Sequence, residues 1–258
     1  SKNLLNGFIT DFKDAGSASA QIDAIKKVDS FSRDYMTYQA MASLNFSRDI
    51  NDNDAKREKD YYDSISPDIR ETYDQFDKVL HESKYKDEII KEYGQTFLDE
   101  IEINLKTFDP KIKDLLKQEI DLKNEYTKLT AGAKITYEGK EYNLAGLGPF
   151  HSDVNRNIRK KSYEARYGWF KDNENELDDI YDKLVKLRHK IATTLGYDNF
   201  IELGYYRMGR SDYGPKEVAS FRRQIVDHVV PIVTKLHEQK KEILGLDELY
   251  FYDGINFK

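Results

Sequence analysis

The sequence predicts a mostly α-helical protein, with helical hairpins, bundle-like packing and one short β-hairpin. Three observations carry that reading. Apolar residues recur every three or four positions over most of the chain. Only 5 Pro and 14 Gly interrupt 258 residues, too few for a turn-rich all-β fold. A single segment near Gly139 alternates apolar and polar residues about a central glycine.

The first amphipathic stripe is Ile22, Ile25, Val28, Phe31, Tyr35, Tyr38 and Met41, with Ser17 or Ser19 available as its N-cap. Asn51-Asp52-Asn53-Asp54 interrupts it. Ser66-Pro67 then reads as a cap followed by proline at the first helical position, opening the stripe Ile69, Tyr73, Phe76 and Leu80. Gly94 breaks the next segment, and Phe97, Ile101, Leu105 and Phe108 continue beyond it. Asp109-Pro110 repeats the capped start for Ile112, Leu115, Leu122, Tyr126 and Leu129. The hairpin runs from Ile135 to Leu144, turning at Gly139. After a loop at Gly146, Gly148 and Pro149, Ser152 is the expected cap of a basic helix ending near Trp169. Leu177, Tyr181, Leu184, Ile191 and Leu195 form the following stripe, stopped by Gly196. The last long helix begins at Gly214-Pro215 and is expected to bury Val218, Phe221, Ile225, Val229, Ile232 and Leu236 before Gly245 closes it. Pro231 deprives the Asp227 carbonyl of its helical partner, so a kink is expected there.

Composition excludes several functions. With no cysteine there are neither disulfides nor thiolate metal sites. A net charge of −6 offers no general attraction to nucleic acid. The longest apolar run, Val229-Val230-Pro231-Ile232-Val233, is far too short to span a bilayer. No basic-then-apolar leader is present. The expectation is a soluble, cytoplasmic protein with no nucleic-acid or membrane partner.

Few residues are arranged for chemistry. A helix that supplies two zinc ligands does so with His at i and i+4, and no two of His81, His151, His189, His228 and His237 are so spaced. His81-Glu82 and His237-Glu238 each begin a His-Glu-x-x-His motif and lack its second His, so both read as ordinary helix residues. Asp49 to Asp60 superficially matches a calcium loop. Asp54 stands where the sharp turn needs Gly, and Lys56 and Arg57 add positive charge inside it, so a solvated turn is expected. The basic run Arg156, Arg159, Lys160, Lys161 and Arg166 precedes the acidic Asp172, Glu174, Glu176, Asp178 and Asp179, which reads as a solvated, mutually paired surface. The most site-like stretch is Gly204-Tyr205-Tyr206-Arg207-Met208-Gly209-Arg210. Glycines flanking two Tyr and two Arg could bind the backbone or carboxylate of a peptide. The preferred reading is plainer: an interhelical loop whose Tyr pack against neighbours and whose Arg pair with acids.

The segment from Leu177 to Asp253 resembles the oligoendopeptidase F family, zinc peptidases related to thimet oligopeptidase. The likeness is diffuse early, at Thr107-Phe108 and from Asp121 to Ala131. It sharpens at Gly139-Lys140-Glu141, Leu147-Gly148-Pro149-Phe150 and Asn155 to Lys161. It is strongest from Tyr181 to Arg223 and from Gly245-Leu246-Asp247 to Tyr252-Asp253. The resemblance implies an elongated helical fold with a channel for short peptides. It also implies a zinc ion on a His-Glu-x-x-His helix, whose Glu activates water, and a further Glu as third ligand. No His-Glu-x-x-His occurs in these 258 residues. By that analogy residues 1–110 are N-terminal helical pairs, 111–180 carry helix, hairpin and helix, and 181–258 open the catalytic domain ahead of its zinc motif. No catalytic or metal-ligating residue is assigned, and substrate-binding residues are left unassigned. The chain is expected to be inactive alone and to self-associate through uncovered apolar faces. The alternative is a non-catalytic helical scaffold or binding protein derived from the family.

Overall fold

Short polar side chains set where the helices begin. The computed structural model describes residues 2–254; Ser1 and residues 255–258, the last four of the segment expected to open the catalytic domain, lie outside the described residues. Helix α1 (Lys2–Asp14) leads into α2 (Ala18–Arg48), whose N-cap is Ser17, accepting from the Ala20 N–H. Asp52 caps α3 (Asn53–His81) by accepting from the Asp54 and Ala55 N–H groups. Next come α4 (Lys86–Tyr93) and α5 (Gln95–Thr107), separated by Gly94 at φ 87°, a conformation that suits glycine. Asp109 caps the turn Pro110–Ile112 that starts α6 (Lys113–Ala131).

The hairpin pairs β1 (Ile135–Tyr137) with β2 (Lys140–Tyr142), Ile135 opposite Tyr142. Glu138 (φ 47°) and Gly139 (φ 75°) are both left-handed, as the two-residue turn that matches strand twist requires. The short α7 (Gly148–His151) precedes α8 (Arg156–Asp172), capped by Asn155. Ser152 therefore closes α7 and does not open α8. Helices α9 (Glu174–Leu195), α10 (Phe200–Arg207), α11 (Pro215–Gln224) and α12 (Val230–Leu244) complete the order. The described chain is mostly α.

The chain forms two compact units, one from Ser1–Lys128 with Ile180–Asp212, the other from Leu129–Asp179 with Tyr213–Lys258. The first holds two apolar cores. Leu5, Ile9 and Phe12 of α1, spaced for one helical face, meet Ile25, Val28, Phe76, Leu80, Ile89, Leu98 and Ile101. Phe108, Ile112, Leu115, Leu187, Ile191 and Leu203 form the other. Each fully buried Leu or Phe contributes about 1.5–3 kcal/mol. In the second unit Ile135, Tyr137 and Leu147 are packed by Phe150 and Trp169.

Three further sequence expectations need correction, at Pro67, at Tyr181 and along the last apolar stripe, and the disruption expected at Pro231 takes a specific form. Pro67 does not start a helix but lies buried inside the continuous α3, because tertiary packing along 29 residues outweighs one missing backbone bond. Tyr181 is 70% exposed and lies off the buried stripe of α9, which is Ile180, Leu187, Ile191 and Ala192. Pro231 is accommodated by a π-turn, Ile225–Val229, in which the Val230 N–H reaches back to the Ile225 carbonyl. One extra residue in that turn shifts the register where the proline removes a donor. The stripe beside it is not a core. Phe221 is 62% exposed, Ile232 60% and Leu236 55%; Val229 is also exposed, and Val218 and Ile225 are half-buried. Periodicity marks a face that would be covered by apolar partners; it does not supply the cover.

The second unit depends on a buried ion cluster. Asp253, 1% exposed, accepts from Arg156 Nε and Nη2 at 2.9 Å each and from Arg159 Nη2 at 3.2 Å. Arg159 also donates to the Tyr252 carbonyl at 2.7 Å and the Asp153 carbonyl at 2.9 Å. Burial by itself raises the Asp253 pKa, but the Arg156 hydrogen bond, the Tyr250 N–H and Arg159 hold it below the ordinary carboxylate range. Asp253→Asn leaves Arg159 buried without its counter-charge and should lower the stability of this unit by about 3–5 kcal/mol. Urea unfolding followed by emission of Trp169, the sole tryptophan, checks this.

Candidate functional site

Helices α3 and α5 carry polar residues one position away from their apolar stripes. On α3 these are Arg70, Asp74 and Asp77; on α5 they are Glu100, Asn104 and Thr107. Steps of four then three put each set on one helical face. The two sets meet. Arg70 Nη2 donates to the Asn104 carbonyl at 3.0 Å and to Thr107 Oγ1 at 2.9 Å, and the Asn104 side chain helps lower the pKa of Asp77 against burial. Asp74, 2% exposed, accepts from Lys78 at 2.6 Å.

Two clefts of about 480 and 640 Å³ share Arg70, Glu100 and Asn104 on their walls. The smaller adds Ile103, Thr107, Phe108, Leu116, Tyr206, Arg207 and Gly209. The larger adds Tyr35, Gln39, Ser66, Tyr73 and Asp77. Within it Ser66 Oγ bonds Tyr35 Oη at 3.1 Å and accepts from Gln39 Nε2 at 2.6 Å.

Arg207 reaches the smaller cleft because a buried carboxylate holds it. Glu119, 2% exposed, accepts from Arg188 Nε and from Arg207 Nη2, each at 2.8 Å, with Lys123 Nζ at 3.6 Å. Burial raises the Glu119 pKa, yet the Arg207 charge and the bonds from both arginines outweigh it and hold the carboxyl below its ordinary range. Arg70 is pulled below the usual guanidinium range by burial, with Asp77 and Asp74 opposing and Arg207 adding to the fall. Asp77 is pushed up to about 7, first by burial and further by Asp74, against Arg70.

The stretch singled out in the sequence divides between its two readings. Arg207 pairs with an acid, Lys106 Nζ lies 5.0 Å from the Tyr206 ring, and the Arg210 guanidinium lies 4.5 Å from the Tyr205 ring. Gly204 is no loop glycine: it is buried within α10, where a Cβ would come 3.3 Å from the Phe200 ring. Gly209, at φ 69°, does end the helix, and with Tyr206 and Arg207 it lines the cleft. Its partners Arg70, Glu100 and Asn104 went unread in the sequence, although polar residues at steps of four and three on amphipathic helices were the available signal.

The other candidates lie apart from these clefts, and His81 Nδ1 is buried without a hydrogen-bond partner among the described residues. His81 Nδ1 lies 3.9 Å from Glu102 Oε1. Asp52 caps α3, and Asp54 and Asp60 pair with Arg57 and Lys56. In the basic run, Arg156 and Arg159 are tied to Asp253, not to the acids at 172–179, and Arg159 is buried. Among the described residues no three His, Asp or Glu side chains are grouped to hold a metal. No helix among them is long and apolar enough to cross a membrane.

The model of the peptidase M3 N-terminal domain matches residues 1–108, and that of peptidase family M3 matches residues 150–256. The chain belongs to peptidase family M3. Across 98% of its length it is similar to the solved structure of PZ peptidase A with an inhibitor, at 37% identity and a TM-score of 0.91, covering 45% of that chain. A protein described as oligoendopeptidase F from Bacillus anthracis str. Ames gives 35% identity and a TM-score of 0.89, with 98% of this chain and 46% of that one covered. An oligoendopeptidase F homolog of Borreliella burgdorferi is 28% identical over 116 residues, 42% of this chain and 19% of its own length. The chain thus spans under half the length of these M3 relatives. The zinc that the family resemblance implies does not fit the described residues of this chain, since none of them converge as ligands.

Asp77 gives the larger cleft a pH signature. Its folded pKa, about 7, lies above the ordinary 3.8, so its stabilising contribution is complete below about pH 4 and is lost as pH rises through 7. Asp77→Asn removes that loss. Between about pH 5 and pH 8 the variant should gain roughly 1–3 kcal/mol relative to wild type. Paired urea melts followed by far-UV circular dichroism test it, and parallel pH profiles would count against it.

Proposed function

We propose that this chain is the N-terminal part of a zinc-dependent oligoendopeptidase and forms part of the wall that holds short peptides, without a hydrolytic centre of its own. The observation that carries the reading is a likeness at 37% identity over 98% of the chain to a peptidase structure of which it covers 45%. Two further facts support it. His-Glu-x-x-His is missing from these 258 residues. The apolar face of α11 and α12, with Phe221, Ile232 and Leu236 exposed, is suited to packing against further peptidase structure. The lack of cysteine suits a reducing compartment, and a cytoplasmic location goes with this reading.

Incubated with zinc and a quenched peptide, the purified chain should show no chelator-sensitive turnover. A longer chain, extended through the coding sequence to a His-Glu-x-x-His motif, should show it. Chelator-sensitive cleavage by the short chain, with contaminating protease excluded, overturns the reading. An inactive extended chain would instead favour the non-catalytic scaffold.

The same exposed face should make the isolated chain self-associate. Light scattering is expected to report dimers or larger species that fall toward monomer in Ile232→Lys with Leu236→Lys. A wild-type chain that is monomeric and binds no hydrophobic dye contradicts this.

A further inference from the structure

We propose that the smaller cleft is a carboxylate site that takes the free C-terminus of a short peptide, with Arg70 and Arg207 as the anion ligands. This deepens, and rests on, the peptide-handling reading above. Arg70 spends Nη2 on two neutral oxygens, the Asn104 carbonyl and Thr107 Oγ1, and makes no ion pair among the described residues. A guanidinium carries five N–H donors in a planar fork, so Nε and Nη1 retain donors for a planar carboxylate. Arg207 likewise commits Nη2, to Glu119.

The local charge favours an anion. Glu119 is one carboxylate among Arg188, Arg207 and Lys123, which leaves an excess of positive charge on the Arg207 side of the cleft, while Asp77 and Asp74 act on Arg70 from the other side. Glu100 also lines the cleft and opposes an anion, but it is exposed at the rim, where water and salt screen it. Burial is the main reason the basicity of Arg70 is depressed, and the Arg207 charge adds a smaller share; a carboxylate bound between them would offset both.

The shape selects among anions. Ile103, Phe108 and Leu116 give the cleft an apolar wall beside the arginines, which suits an apolar last side chain next to its carboxylate. Inorganic phosphate or acetate has nothing to place there. A volume of about 480 Å³ lies within the range that holds small ligands, about 300–1,000 Å³.

The test uses the whole chain and three probes in titration calorimetry: N-acetyl-Gly-Gly-Leu as the free acid, the same peptide as its C-terminal amide, and sodium phosphate. The acid should bind at least about tenfold more tightly than the amide, and phosphate should compete weakly. Arg70→Gln should lose about tenfold in affinity for the acid, with part recovered in Arg70→Lys. Because Arg70 also ties α3 to α5, a measurement on the unmutated chain accompanies these variants. Phenylglyoxal modification followed by peptide mapping should show Arg70 and Arg207 protected by the acid and not by the amide. Equal binding of acid and amide overturns the terminal-carboxylate assignment while leaving peptide handling intact. Phosphate binding with neither peptide bound sinks both. Tight binding of the acid that leaves both arginines unprotected places it elsewhere and overturns the proposal.

Discussion

Glu119 is a carboxylate with almost no contact with water, and the first unit is arranged around the cost of leaving it there. An ionised group so placed must be paired and hydrogen-bonded, or it neutralises. It is answered from three helices: Lys123 one turn along α6, Arg188 from α9 and Arg207 from the end of α10. That requirement brings α6, α9 and α10 together at one point and aims the last residue of α10 at the cleft wall. Arg188 and Arg207 also lie near the Phe200 ring, at 5.8 and 5.6 Å, so the charge cluster sits against the apolar core that Phe200 borders.

The second unit solves the same problem with the signs exchanged. Arg159 is the deeply buried cation, and Asp253, from 94 residues further along, answers it together with backbone carbonyls. Tyr250 and Tyr252 stack at 5.3 Å, and both rings lie within 6 Å of the Arg156 guanidinium. Both clusters join distant parts of the chain. Each is poor evidence of a gain in stability over an apolar alternative and good evidence of a constraint on which elements may meet.

Much of the architecture was legible, for local reasons. Ser17, Asp109, Gly94, Gly139, Gly196 and Gly245 sit where capping and turn chemistry depends on a few neighbouring residues, and the structure uses each of them so. Helix α1 could have been read as well, since Leu5, Ile9 and Phe12 follow the helical period. The candidate site was only half legible. Tyr206, Arg207 and Gly209 stood out as a dense polar and aromatic stretch, whereas Arg70, Asn104 and Thr107 look like ordinary polar residues until α3 and α5 are placed together.

By itself the sequence determined the helical class, the single hairpin, the family likeness and the lack of paired zinc ligands, because each depends on residue type and short-range spacing. Tertiary structure alone decided that Pro67 stays inside a helix, that Pro231 is met by a π-turn, and that Phe221, Ile232 and Leu236 face outward. It alone decided that the two compact units each draw on separated stretches of chain. The physical reason is common to all of these. Burial and charge pairing are properties of what lies opposite a residue, and neither helical period nor composition specifies the opposite face.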